Sequence, residues 1–146
     1  MTEVALRELG QGWFNTYSAG SHPTGRVNPY ALAQLQSQGY AIDGLRSKSW
    51  DEFAQADAPV MDLIMTVCDN AAGEVCPLWL GQPKTIHWGF VDPAAVEGSD
   101  HDKQQAFAQV YAQIVARIQQ LMALPLAELS LEQLALAMRH IGEQPV

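Results

Sequence analysis

The chain has 146 residues, of which 48% are hydrophobic, which is enough for one domain with a core and too short for two ordinary domains. A net charge of −8 argues against a nucleic-acid binder, because such proteins use clustered Lys and Arg to displace counterions from phosphates. No apolar run approaches the roughly 20 residues that span a bilayer, and no basic segment followed by an apolar one marks a secretory leader. We therefore expect a cytoplasmic protein with no membrane or nucleic-acid partner.

The first half of the chain predicts two helices and one strand. Residues 3–9 are good helix formers and stop at Gly10, so the chain begins inside a helix. Trp13, Phe14, Thr16 and Tyr17 then favour a strand that ends in a turn at residues 18–20. Asn28 and Pro29 predict a capped helix that ends near Gly39.

The second half predicts two strands and two helices. The apolar run at residues 63–67 is typical of a strand buried in a parallel sheet, and residues 84–88 form a second candidate. Apolar residues at spacings of three and four predict a long helix over residues 100–122, with one stripe packed on the sheet. A last helix is expected to begin after Ser130 and stop at Gly142. Strands that alternate with helices indicate an α/β domain with a parallel sheet.

Three candidate functional positions follow predicted strands. Ser18, Cys68 and the loop that carries Asp92 all come at strand ends, and ligands of open α/β sheets bind beyond the carboxyl ends of the strands. We therefore expect these positions to converge at one edge of the sheet.

The two cysteines, Cys68 and Cys76, are too few for a secreted disulfide scaffold. A close pair in a reducing compartment is more often catalytic, redox-active or metal-binding, but zinc would lack ligands here. Cys68 could be no more than a small buried hydrophobic residue. Cys76 lies in a loop bounded by Gly73 and Pro77, where an exposed thiolate is easier to form.

Asp92 precedes Pro93 and has two interpretations. The commoner one is a residue that initiates a turn. The functional one is a general acid, because the aromatic residues Trp88 and Phe90 would provide apolar surroundings.

Seven motifs follow one another along the chain: Glu-Val-Ala-Leu-Arg-Glu-Leu-Gly at 3–10, Tyr-Ser-Ala-Gly at 17–20, Val-Asn-Pro at 27–29, Arg-Ser-Lys-Ser at 46–49, Thr-Val-Cys-Asp-Asn-Ala at 66–71, Glu-Val-Cys-Pro at 74–77 and His-Trp-Gly-Phe-Val-Asp-Pro-Ala at 87–94. Their order and spacing resemble those of the thioredoxin-coupled arsenate reductases that share the low-molecular-weight tyrosine phosphatase fold. The match covers nearly the whole chain. It implies one domain over residues 1–146 with a three-layer architecture, a parallel sheet flanked by helices.

The resemblance also implies roles for individual residues. In this family a nucleophilic cysteine attacks arsenate, a second cysteine releases arsenite by forming a disulfide, and a third cysteine presents that disulfide to thioredoxin or glutaredoxin. Cys68 resembles the second thiol, Cys76 the third, and Asp92 the acid that protonates the leaving oxygen. No cofactor is implied. Glu3 and Ser18 match positions that bind potassium in some members, but Lys48 stands where those members have an aspartate, so its ammonium group could replace the cation.

The family's first central strand, its Cys-x5-Arg loop and its nucleophile have no counterpart in this sequence, in which Met1-Thr2-Glu3 matches the end of a Ser-Gln-Met-Ala-Glu run. We therefore expect an N-terminally truncated domain that is inactive in this form. Three hypotheses follow: an arsenate reductase whose true start lies upstream, a non-catalytic remnant, and a protein tyrosine phosphatase. The phosphatase would not need the pair of Cys68 and Cys76, so that pair favours the reductase.

Overall fold

Four α-helices and two β-strands form the regular structure of the residues described by this computed structural model, which are 1–21, 23–67 and 81–145. In chain order the elements are α1 (Thr2–Leu9), α2 (Pro29–Ser37), β1 (Leu63–Thr66), β2 (Lys84–His87), α3 (Asp100–Met122) and α4 (Leu131–Glu143). Short 3-10 helices lie at Trp50–Ala54, Pro93–Ala95 and Leu126–Glu128. The predicted helices and the strands at 63–67 and 84–88 are confirmed within a residue or two of their ends.

Polar caps explain where three of the helices begin. The Asn28 side chain accepts a 2.9 Å hydrogen bond from the amide of Tyr30, with Pro29 in the first turn of α2. Ser99 and Ser130 each form a capping box at the starts of α3 and α4. Each cap satisfies amide groups that have no partner within the helix, so these starts follow from local sequence.

The core is built around α3. Its predicted apolar stripe is buried, and the helix packs against α1, α2 and α4. Helix α4 packs in turn against β2. The residues that form the core are Val4, Ala5, Leu35, Ile86, Trp88, Val110, Tyr111, Ile114, Ile118, Leu121, Ala135, Met138 and Ile141.

The sheet in the described residues consists of β1 and β2, which pair in parallel with Leu63 opposite Lys84 and Thr66 opposite His87. The ladder continues past the strands at both ends, because Lys84 N donates to Asp62 O and Trp88 N donates to Thr66 O. A parallel sheet is thus confirmed, but with fewer strands than the sequence predicted.

The predicted strand at Trp13 to Tyr17 is wrong for the described residues. Residues 14–19 contain no strand, and the nearest sheet-like pairing is an isolated bridge between Gly20 and Ser49. Strand-forming side chains are not sufficient, because a strand also needs a neighbour for its backbone groups. The segment is held by side chains instead, with the Thr16 hydroxyl bonded to Glu3 O and the Tyr17 ring against Phe53.

Gly142 does not stop the last helix, which continues to Glu143. An added Cβ at Gly142 would lie 2.4 Å from His87 O and 2.8 Å from Trp88 Cδ1. The glycine therefore permits close approach of α4 to the end of β2, and the predicted stop lies one residue before the observed end. The same contact places the end of α4 beside the loop that follows β2.

Within the described ranges, no helix combines the length and apolar character that crossing a membrane requires.

Candidate functional site

The paired strands β1 and β2 end at a polar contact. Thr66 Oγ1 lies 2.7 Å from His87 Nδ1, and both residues are half-buried. They are the last residues of their strands, so the contact lies at the carboxyl edge of the sheet, where ligand sites of α/β proteins form. Sequence reasoning missed this pair, because it depends on the register between two strands.

The loop after β2 is fastened to the end of β1. The amide of Phe90 donates a 2.9 Å hydrogen bond to the carbonyl oxygen of Val67. Val67 immediately precedes Cys68, and Asp92 follows Phe90 by two residues. The bond therefore holds the backbone that leads into Cys68 beside the loop that carries Asp92.

Cys68 and Cys76 themselves lie outside the described residues, as does the whole segment 68–80. Their predicted roles as relay thiols stay predictions.

Asp92 initiates a turn, as its commoner interpretation predicted. Its Oδ1 accepts a 2.9 Å bond from the amide of Ala94, and its carbonyl accepts one from Ala95, which opens the 3-10 helix at Pro93. The residue is exposed, whereas Trp88 is buried and binds Met138 O through its indole nitrogen. The carboxylate thus projects to solvent within a defined turn, where it can meet a ligand, and the role of general acid stays a prediction.

Glu3 and Ser18 are brought together. The Ser18 hydroxyl donates a 2.8 Å hydrogen bond to Glu3 Oε1, and the nearby Thr16 hydroxyl donates to the Glu3 carbonyl, also at 2.8 Å. The start of α1 and the segment 14–19 therefore meet at these residues. Across the described parts of the chain, no group of three His, Cys, Asp or Glu side chains could hold a metal ion.

The backbone of Lys48, and not its ammonium group, bonds to the segment that carries Ser18. Gly20 N donates to Lys48 O at 3.0 Å, whereas the ammonium group lies 3.4 Å from Arg46 O. No ion pair joins Lys48 to Glu3, both of which are described residues. Ser18 and Lys48 are thus on adjoining segments, while Asp92 lies in the loop tied to β1.

Comparison with known protein families shows which family the chain belongs to. A model of the low molecular weight phosphotyrosine protein phosphatase family matches residues 1–134. The chain belongs to this family. Curated relatives of this family member are arsenate reductases, including that of Halalkalibacterium halodurans, 38% identical over 110 residues with 75% of each chain covered.

Two further comparisons agree with this assignment. The arsenate reductase of Bacillus licheniformis is 37% identical over 114 residues, with 78% of each chain covered. A solved structure described as an arsenate reductase in reduced state has a TM-score of 0.61 and 24% identity, and the match covers 84% of this chain and 85% of that one. The structural likeness supports the α/β fold of the family.

Arg117 is a buried residue of this family member that sequence reasoning missed. Its side chain lies in the apolar stripe of α3 between Ile114 and Ile118, and only 4% of the residue is exposed. Burial lowers the pKa of its guanidinium group, because the charged form loses water. A charged residue on the buried stripe of an amphipathic helix was the available signal.

Proposed function

We propose that the chain is an arsenate reductase-like protein that carries the disulfide-relay part of the reaction, in which arsenate is reduced to arsenite. Cys68 serves as the second thiol, Cys76 as the third and Asp92 as the general acid. Support comes from arsenate reductases that are 34–38% identical to the chain over three quarters of its length or more.

The observation that carries the proposal is the hydrogen bond from Phe90 N to Val67 O. It joins the backbone next to Cys68 to the loop of Asp92, and a relay needs its thiols and its proton donor near one reacting centre. A resemblance in motifs alone would not require these two distant segments to be fastened together.

The proposed relay consists of three successive attacks by cysteine thiolates. A first thiolate, from a Cys-x5-Arg loop, attacks arsenic while Asp92 protonates the departing oxygen, which leaves as water. The Cys68 thiolate then attacks the sulfur of that first cysteine, which forms a disulfide as the sulfur–arsenic bond breaks. The electron pair of the sulfur–arsenic bond stays on arsenic, which is thereby reduced from As(V) to As(III), and arsenite leaves. Cys76 attacks Cys68 in turn, and the first thiol is released.

The dithiol of thioredoxin or glutaredoxin then reduces the disulfide between Cys68 and Cys76 and is itself oxidised to a disulfide. We propose that this chain undergoes thiol–disulfide exchange with such a reductant in the cytoplasm. A single domain over residues 1–146 would provide the segment of both cysteines and the Asp92 loop.

We further propose that this chain of 146 residues neither reduces arsenate nor hydrolyses phosphate esters at a useful rate. The sequence contains no cysteine followed six residues later by an arginine. Both reactions need a thiolate beneath an oxyanion that is held by backbone amides and an arginine fork. A net charge of −8 also repels arsenate.

A phosphatase activity is the alternative that the family name suggests, and a non-catalytic remnant is another. A phosphatase uses the same first thiolate but has no use for a second and third thiol. The cysteine pair of this chain therefore favours the reductase.

The test is arsenate-dependent oxidation of NADPH in the presence of thioredoxin and its reductase. We compare this chain with a form extended upstream through a strand and a Cys-x5-Arg loop, and with Cys68→Ser and Cys76→Ser variants of the extended form. We expect activity in the extended form alone, and its loss in both variants. Equal activity in the short and extended forms would refute the proposal of inactivity. Phosphate-ester hydrolysis without arsenate reduction would favour the phosphatase.

A further inference from the structure

Arg117 binds three carbonyl oxygens, and no carboxylate among the described residues pairs with it. Its guanidinium group donates to Gly89 O at 3.1 Å and to Gly142 O and Gln144 O at 3.3 Å. None of the ion pairs among the described residues includes it. A buried guanidinium without a carboxylate is unfavourable unless its hydrogen bonds offset the loss of water, so these three bonds explain how the residue is accommodated.

Packing alone does not explain an arginine at this position. Its Nε is buried and has no hydrogen-bond partner within the described ranges. An apolar side chain of similar volume would fill the same space without leaving a polar atom unsatisfied. What an apolar side chain could not do is join the three carbonyl groups.

Two of these carbonyl groups belong to the end of α4. Gly142 is in its last turn and Gln144 follows its final residue. The last carbonyls of a helix lack partners within the helix and carry partial negative charge, which a guanidinium satisfies. Arg117 thus caps α4 from the neighbouring helix α3.

The third carbonyl belongs to the loop of the candidate site. The peptide bond between Gly89 and Phe90 is held at both ends: its carbonyl oxygen accepts from Arg117, and its amide donates to Val67 O at 2.9 Å. The guanidinium carbon also lies 4.7 Å from the centroid of the Phe90 ring, within the range of a cation–π contact. One peptide unit therefore spans the distance between Arg117 and the residue before Cys68.

We propose that Arg117 is a positioning residue, which clamps the Gly89–Phe90 peptide between α4 and the end of β1 and so fixes the Asp92 loop beside Val67, the residue that precedes Cys68 in the sequence. The role in catalysis rests on the proposed function of Asp92 and Cys68. The clamp itself is a property of the fold and is measured without arsenate.

The experiment is amide hydrogen exchange, followed by NMR, on the full chain and on Arg117→Met, which keeps an unbranched stem as far as the position of Nε and removes every donor. The Phe90 amide reports the clamp, the Gln144 amide, which bonds Ile141 O, reports the end of α4, and the Ile118 amide reports global opening. Arg139→Met is the matched control, because exposed Arg139 also donates to a backbone carbonyl of β2, Thr85 O, at 2.9 Å.

We expect Arg117→Met to accelerate exchange at Phe90 by about tenfold beyond any change at Ile118, because the clamp opens locally. Arg117→Lys keeps the charge but cannot reach all three carbonyls, so we expect an intermediate acceleration, and this variant decides the matter if Arg117→Met does not fold. Arg139→Met is expected to leave Phe90 unchanged. Faster exchange at Gln144 but not at Phe90 would overturn the proposal, because Arg117 would then only cap the helix. Equal acceleration at Phe90 and Ile118 would also overturn it, because the substitution would then have lowered the stability of the whole protein. An inactive extended form would contradict the proposed function but not this clamp.

Discussion

The indole nitrogen of Trp88 donates a 2.8 Å hydrogen bond to the carbonyl oxygen of Met138, which joins the residue after β2 to the middle of α4. Trp88 has no exposed surface and belongs to the central core cluster. The bond and the packing together fix α4 to the sheet, so this side chain stabilises the framework of the candidate site.

Replacement of this side chain by Trp88→Phe is expected to destabilise the protein by about 2 kcal/mol, because it removes a buried hydrogen bond and leaves a cavity. Denaturant unfolding measures the change. The matched control is Trp13→Phe, because Trp13 is 53% exposed, and we expect a change within about 0.5 kcal/mol. Equal effects of the two substitutions would contradict the assigned burial.

The close approach of α4 predicts an unusual effect of Gly142→Ala. Alanine favours a helix interior by up to about 1 kcal/mol over glycine, but its Cβ would lie 2.4 Å from His87 O. Because backbone must move to relieve that contact, we expect a net destabilisation of about 1–2 kcal/mol.

The same unfolding measurement on Leu136→Ala is the control for Gly142→Ala, because Leu136 is on α4 and 65% exposed. It should change stability by less than about 0.5 kcal/mol. A Gly142→Ala protein more stable than the parent would show that α4 does not approach β2 so closely.

Local signals account for most of what the sequence predicted correctly. Asn28 and Ser130 begin helices through hydrogen bonds to amides two and three residues away, so their effect can be inferred without knowing the fold. The apolar run of β1 was also recognisable, because a strand buried in a parallel sheet is apolar throughout.

Interactions between distant segments account for what was missed. Whether Trp13 to Tyr17 form a strand depends on a neighbouring strand, which propensity does not report. Arg117 binds Gly89 across 28 residues of sequence, and only the packed structure brings them together. The roles of Cys68, Cys76 and Asp92 came from the resemblance to a family, whereas the bond between Phe90 N and Val67 O depends on strand register.

Oxidation is expected to join Cys68 and Cys76 in an intramolecular disulfide. Seven residues lie between them, so closing the loop costs little chain entropy, and Gly73 eases the bend. Mass spectrometry after oxidation and alkylation should find neither thiol modified in the parent chain. Cys76→Ser is the control and should keep Cys68 open to alkylation, whereas two alkylatable thiols in the oxidised parent would contradict the prediction.

The outer edge of β1 predicts self-association. Asp62 O and Thr66 O accept hydrogen bonds from β2. Because backbone groups of successive residues in a strand point to alternate sides, those of Leu63 and Met65 point away from β2. No described residue bonds them there. Such an edge pairs readily with a second chain. We expect light scattering to show oligomers whose fraction rises with concentration.

Leu63→Pro should reduce that fraction, because proline removes one donor from the outer edge and is tolerated at the first residue of a strand. The control is Val60→Thr, since Val60 is exposed and precedes the strand, and it should leave association unchanged. Because pairing of the strand edge stabilises only the associated form, we expect the monomer that remains at low concentration to melt below the oligomer. A monomer at all concentrations with a high melting temperature would contradict the prediction, and would mean that the outer edge of β1 is already covered within one chain.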